Sequence, residues 1–356
     1  PMPKQFLYFL LLLVPICSCQ QQSPAAAPST EAPPTAKAYN KLQGKTMGTT
    51  WHITYAGDNN TLHQKNIDSL LIRLNEEVST YIPAAIISQF NQSEKGVQLD
   101  AQEHAHFLQN LKAAQKINKE TQQQFDPTVM PLVNYWGFGY TGRGQVKEAD
   151  KQKVKALLSF VGMDHVTLNE NGFLSKDNPQ VQIDFSALAK GYGVDEICRY
   201  FDQQNISDYF VEIGGEVNTK GRNPAGILWS VGISRPEIAS APNDFYLIIK
   251  LDNKAVATSG NYRNVYLADG VYYSHTIDPI TGFSKRDRLL SASVLTKDCM
   301  LADAYATSFM VMGLEKSMAF AKAHPELGLC LIYNTADGKL DYFVTENMKD
   351  FVIKVE

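Results

Sequence analysis

Apolar positions along the chain follow two rhythms, and the rhythm changes with place. Over residues 62–78, Ile67, Leu70, Leu71, Leu74 and Val78 recur at the three- and four-residue spacing of one helical face. Residues 102–119 repeat that pattern less cleanly through Leu108, Leu111, Ala114 and Ile117. After a polar, glycine-bearing stretch at 137–144, a further helix is predicted at 149–160. Residues 49–55 alternate in the strand manner. Beyond residue 165 strands dominate: 165–168 and 172–175 predict a hairpin turned at Asn171-Gly172. Further strands are expected at 181–184, 209–213, 229–234, 245–251, 254–258, 271–277 and 291–296, with closing strands at 329–333 and 340–344. Helices are predicted over 187–204, 301–312 and 314–323. Long helices and many strands without strict strand–helix–strand alternation predict an α+β fold of mainly antiparallel sheets with packed helices. A doubly wound fold is disfavoured, because no Gly-x-Gly-x-x-Gly follows an early strand.

The first forty residues obey neither rhythm. Lys4 precedes an apolar run over 6–16, followed by Ile16-Cys17-Ser18-Cys19. That run is shorter than the roughly 20 residues a membrane-spanning helix needs. A charged start, a short apolar core and a small residue before the cut predict a secretory signal over residues 1–18. Ser18 before Cys19, with Ile16 three places ahead of the cysteine, resembles a bacterial lipobox. The resemblance implies cleavage before Cys19 and diacylation of its thiol, palmitate being one such acyl chain. Plain secretion with Cys19 unmodified is the alternative. Residues 20–38 are Gln, Ser, Pro, Ala and Thr with hardly a large apolar side chain, so they read as a tether that has too little to bury. The expected layout is therefore a signal (1–18), a lipidated cysteine and flexible tether (19–40), and one folded domain (41–356). Such a protein sits anchored on the cytoplasmic (inner) membrane, facing the periplasm or exterior.

Composition narrows the function classes. With 356 residues, 44% of them hydrophobic, the chain is long enough for a sizeable core. A formal charge of -4 offers no broad cationic field, which disfavours nucleic acid as a partner. Cys198, Cys299 and Cys330 are widely spaced without a Cys-x-x-Cys pair, so buried inert thiols are expected rather than a metal cluster.

Seven short stretches depart from simple amphipathic patterning. In Leu301-Ala302-Asp303-Ala304-Tyr305-Ala306-Thr307, a carboxylate and a hydroxyl four residues apart project from one helical face. Two hard oxygen donors suit Mg²⁺ shared with a phosphate ester. The others are Met47-Gly48-Thr49; Ser79-Thr80-Tyr81 with Ser88-Gln89-Phe90-Asn91; Phe125-Asp126-Pro127; Asp184 through Lys190-Gly191; Ala257-Thr258-Ser259-Gly260-Asn261-Tyr262; and His275-Thr276-Ile277-Asp278-Pro279-Ile280-Thr281-Gly282. Singly, each has an innocent explanation. Asp278 to Gly282 makes a good turn in any protein, Lys190 alone reads as a solvated helix residue, and Met47 and Tyr81 as core. Tyr273, His275 and Ile277 share a strand face, which suits a structural histidine.

Together and in this order the stretches resemble the ApbE family of FAD:protein FMN transferases, from about Lys45 to beyond Thr335. The resemblance implies that Met47, Tyr81, Phe125, Asp126, Asp184, Lys190 and Ile277 line an FAD site. It makes Asp303 and Thr307 magnesium ligands, with a third at Ala187, which has only its backbone carbonyl to offer. FAD is then the substrate. FMN passes to a threonine or serine hydroxyl of an exported acceptor flavoprotein, and AMP leaves. On that reading Lys190 adds a second cation and His275 is the general base. Gly260, beside Ser259, lets backbone approach the phosphates. Two alternatives stay open: an FAD pyrophosphatase giving FMN and AMP, and a non-catalytic flavin-binding lipoprotein.

Overall fold

Eight strands form the main sheet and lie side by side in the order the chain makes them. They are numbered along it: β1 (Tyr39–Thr46), β2 (Thr49–Ala56), β3 (Tyr209–Ile213), β4 (Glu216–Lys220), β5 (Ala255–Gly260), β6 (Leu289–Thr296), β7 (Gly328–Asn334) and β8 (Leu340–Val344). Every neighbouring pair is antiparallel. Helices enter as insertions between strands. Between β2 and β3 come α1 (Thr61–Val78), α2 (Ile86–Gln92), α3 (Ala105–Glu120), α4 (Met130–Tyr135), α5 (Lys151–Leu158) and α6 (Ala189–Gln203); between β6 and β7 come α7 (Cys299–Met312) and α8 (Leu314–Ala323). This computed structural model describes residue 1 and residues 37–355 apart from 59, 141–145, 147, 238–240, 242, 243, 262–264, 269, 270 and 286. The expected signal, Cys19 and almost all of the tether lie outside the described residues, as do Tyr262 and part of the 137–144 stretch.

The pleat explains why the central strands read as nearly continuous apolar runs. Along β7, Leu329 and Leu331 enter the core shared with α7 and α3, whereas Cys330 and Ile332 enter a second core on the opposite face. That second core is closed by a three-stranded sheet ordered Val352–Lys354, Phe245–Leu251, Trp229–Ser234. Both faces of the sheet are thus covered at β7, whereas β2 keeps a polar side, exposed Thr50 and His52 alternating with buried Trp51 and Ile53. Cys198, Cys299 and Cys330 are free and buried, and burial pushes their thiols up, away from reactive thiolate.

The expected α+β architecture is present, with instructive departures. Residues 181–184 belong to no ladder. The Asn91 side chain takes the place of a neighbouring strand, accepting from the Ile183 N–H (2.7 Å) and donating to its carbonyl (2.9 Å). The strand expected at 271–277 ends at Ser274, and Ile277 makes only an isolated bridge to Ser284. This breaks the shared face proposed for Tyr273, His275 and Ile277. Strand β1, helices α2 and α4 and strand β4 escaped the periodicity because they are short or polar on most positions.

Candidate active site

The site is built where α6 and α7 cross beneath the β3–β4 turn. Glycine makes the crossing possible. A Cβ on Gly191 would lie 2.4 Å from the Cys299 carbonyl oxygen and 2.8 Å from Met300 Cα, so only a bare backbone allows the two helices so close. The Gly191 N–H then donates to Asp303 Oδ2 at 3.2 Å. Asp195, one turn further along α6, accepts from the Cys299 N–H (2.8 Å) and the Met300 N–H (2.9 Å). It caps α7, whose own cap residue Asp298 supplies no side-chain bond. Burial pushes the Asp195 carboxyl up to about 6.

Asp303 is 3% exposed on a helix whose buried residues are mostly apolar. A carboxylate buried so deeply demands a partner, and Lys190 supplies it with Nζ 3.5 Å from Oδ2. Lys190 also reaches Glu216 Oε1 at 3.3 Å. Burial alone would lower the lysine, but the two carboxylates outweigh it and hold the ammonium charged well above its ordinary range. Two acids face one base, and desolvation pushes the Glu216 carboxyl up, toward the protonated form that relieves the excess of negative charge. Its second oxygen, Oε2, is buried with no protein partner.

Gly214 and Gly215 join β3 to β4 with φ of 59° and 104°, a two-residue turn that residues with a side chain rarely adopt. A Cβ on Gly214 would also press within 3.3 Å of the Lys190 stem. Glu216 and this turn were not anticipated from the motifs. The Gly-Gly pair between two alternating runs was the signal that could have exposed them.

These groups face a cavity of about 1310 Å³. Thr307, one turn along α7 from Asp303, lines it, with its hydroxyl 3.3 Å from that of Ser259 at the end of β5. Gly260, Ala187, Asp184, His275 and Ile277 line it as well. His275 sits edge-on to Phe138, ring centroids 6.4 Å apart. Tyr81, 72% exposed, stands at the same cavity, so it is not the core residue that its type alone suggests. Phe125 and Asp126 contribute from the turn before α4. Asp126 is mainly engaged with its own loop, accepting from the Thr128 N–H (2.8 Å) and hydroxyl (2.5 Å) and from Asn118 (3.2 Å). Asp184 accepts from the Ser186 N–H (2.9 Å) and hydroxyl (2.6 Å), while burial pushes it up.

Met47 is the expected site residue that the cavity leaves out. It lies in the β1–β2 turn with φ 50°, and its methyl packs toward Gly193 of α6, which draws the side chain into the core.

Residues 47–331 match the model of the ApbE family. A Vibrio cholerae protein named FAD:protein FMN transferase is 40% identical over 318 residues, covering 88% of this chain and 92% of that protein. A Haemophilus influenzae protein of the same name is 36% identical, covering 87% and 90%. Among solved structures, the flavin transferase ApbE from Vibrio cholerae aligns with a TM-score of 0.79 at 39% identity, over 88% of this chain and 99% of that one. The apo form of Pseudomonas stutzeri flavinyl transferase ApbE aligns with a TM-score of 0.78 at 28% identity, over 88% and 97%. With its sequence and its fold both matched over most of their length, the chain belongs to the ApbE family.

Proposed function

We propose that this protein is an FAD:protein FMN transferase. The observation that carries the reading is the convergence of Lys190, Glu216, Asp303, Thr307, Ser259 and His275 on one cavity, in a chain whose relatives bear that name. In the reaction an acceptor threonine or serine Oγ forms a bond to the FMN phosphorus. The P–O bond to AMP breaks, and AMP leaves with the electron pair. His275 takes the hydroxyl proton on a ring nitrogen. Lys190, held charged by its two carboxylates, sets a fixed cation beside the phosphates. Gly260 and the Gly214–Gly215 turn keep the backbone bare where a diphosphate must come close.

The donor set also suits Mg²⁺. Asp303 and Thr307 share one helix face, Ser259 is beside Thr307, and two carboxyl groups share the single Lys190, with Glu216 Oε2 left without a partner, so a second cation would let both ionise. Among the described residues no group of three His, Cys, Asp or Glu holds a metal alone, so substrate oxygens would complete the shell. When bound, the ion neutralises charge on the phosphate oxygens as a Lewis acid. Ala187 lines the cavity and would contribute its carbonyl.

The address is part of the proposal and rests on residues 1–40: export, acylation of Cys19, and attachment to the membrane surface by a leash. Among the described residues no helix is long and apolar enough to cross a membrane. Cys19→Ala should release the protein from membranes in a fractionation, and unchanged retention would count against acylation.

Incubation with FAD, Mg²⁺ and an exported acceptor domain tests the reaction. Flavin fluorescence that stays on the acceptor band in a denaturing gel is expected. Release of free FMN alone would instead make the protein a pyrophosphatase.

A further inference from the structure

The cavity, at about 1310 Å³, exceeds the roughly 300–1,000 Å³ of ordinary small-molecule sites. It therefore has room beside one dinucleotide. Part of its wall belongs to no expected site residue. Ser230, Val231, Gly232, Ile233 and Ser234 line it, five consecutive residues of the strand Trp229–Ser234. Successive side chains in a strand point to opposite faces. Five in a row border one space when that space meets the strand along its edge.

This strand ends its three-stranded sheet, paired on one side with Phe245–Leu251. Among the described residues no strand pairs with the other side. An unpaired edge presents alternate N–H and C=O groups, a template for another chain. Ser230 and Gly232 are exposed along it, and the Phe245 ring lies over one face of Gly232, where a Cβ would come within 2.4 Å of it. From β3, Phe210 and Glu212 line the same cavity, Phe210 against the Trp229 ring (centroids 5.5 Å apart) and Glu212 bonded to His52 at 2.7 Å.

We propose that the acceptor protein docks here, an extended segment bearing the target hydroxyl adding to Trp229–Ser234 as a fourth strand. The proposal rests on the transferase reading and deepens it. Main-chain pairing holds a segment whatever most of its side chains are, and the same cavity carries Lys190, Asp303 and His275, so the hydroxyl is delivered where the phosphate bond is cleaved.

Two proline variants test it, Ser230→Pro and Val231→Pro. Adjacent residues in a strand aim their N–H groups in opposite directions, so one variant breaks the ladder to Phe245–Leu251 and the other removes an outward donor. The variant that keeps the wild-type melting temperature is the probe. Its KM for an exported acceptor domain should rise about ten-fold, the weight of one backbone hydrogen bond, while its Kd for FAD stays within about two-fold of wild type. In the wild type, addition of the acceptor should slow amide exchange within residues 229–234. An unchanged acceptor KM without slowed exchange, or a Kd for FAD that rises by the same factor, overturns the proposal; the latter gives the strand to the dinucleotide. Wild-type enzyme assayed alongside separates the two levels: its failure to modify the acceptor speaks against the transferase reading, whereas loss confined to the variant speaks for the edge.

Discussion

Gly191→Ala adds a single methyl group, and its consequences follow from distances already fixed. The new Cβ would lie 2.4 Å from the Cys299 carbonyl oxygen, 2.6 Å from its carbon and 2.8 Å from Met300 Cα. All three are backbone atoms of α7, so no side chain can swing aside. Relief requires α6 and α7 to part by about 1 Å, since carbon–carbon contacts settle near 3.5–4 Å. Lys190 Nζ is already 3.5 Å from Asp303 Oδ2, and the Gly191 N–H is 3.2 Å from that oxygen. Both contacts pass beyond useful range. Overpacking costs about 1–3 kcal/mol, and alanine in place of glycine within a helix returns about 1 kcal/mol. Net stability should therefore fall by no more than about 2 kcal/mol, a few degrees in Tm. Catalysis should suffer far more, because a misplacement of about 1 Å can cost about a hundred-fold in rate. The assay is kcat/KM for FMN transfer beside a thermal melt of the same sample. Transfer within about three-fold of wild type at an unchanged Tm would refute the argument that this glycine sets the geometry of Lys190 and Asp303.

Three further outcomes are expected. Asp303→Ala should abolish Mg²⁺-dependent transfer yet leave the protein folded, because Glu216 still holds Lys190 at 3.3 Å; undiminished activity would remove Asp303 from the site. His275→Ala should bind FAD with near-normal affinity and lose turnover by about 10²–10⁴-fold, the usual weight of a general base. Loss of FAD binding with a preserved rate per bound flavin would make the histidine a binding residue. For Asp195, the folded carboxyl near 6 lies above its ordinary value, so the native state binds the extra proton between about pH 4 and pH 6. Stability from this group is present below that window and lost as pH rises through it, by up to about 3 kcal/mol. Chemical denaturation of wild type and Asp195→Asn across pH 4–6 should show wild type losing ground against the variant, and a constant difference would contradict the assignment.

Local pattern alone was enough for many elements and for the chemistry of single motifs. The helix Leu314–Ala323 and the strands Trp229–Ser234, Phe245–Leu251 and Leu340–Val344 appear at their expected bounds, because side-chain periodicity is a property of consecutive residues. The pairing of Asp303 with Thr307 was equally legible, since an α-helix puts residues four apart on one face. The packing of helix against helix was not. Asp303 meets the Gly191 N–H across 112 residues, and Asp195 caps a helix that starts 104 residues later. Nothing in the spacing of either segment encodes that encounter. Glu216 became a site residue only when the β3–β4 turn carried it over Lys190, and the side chain of Met47, in the β1–β2 turn, lies toward Gly193 of α6, a contact that spacing does not encode. Residues 181–184 read as a strand but find their backbone partner in the Asn91 side chain, a contact 92 residues away in sequence. Periodicity determines which side of an element is apolar. Which buried charge meets which partner is decided by how closely two backbones approach, and here that distance depends on a glycine.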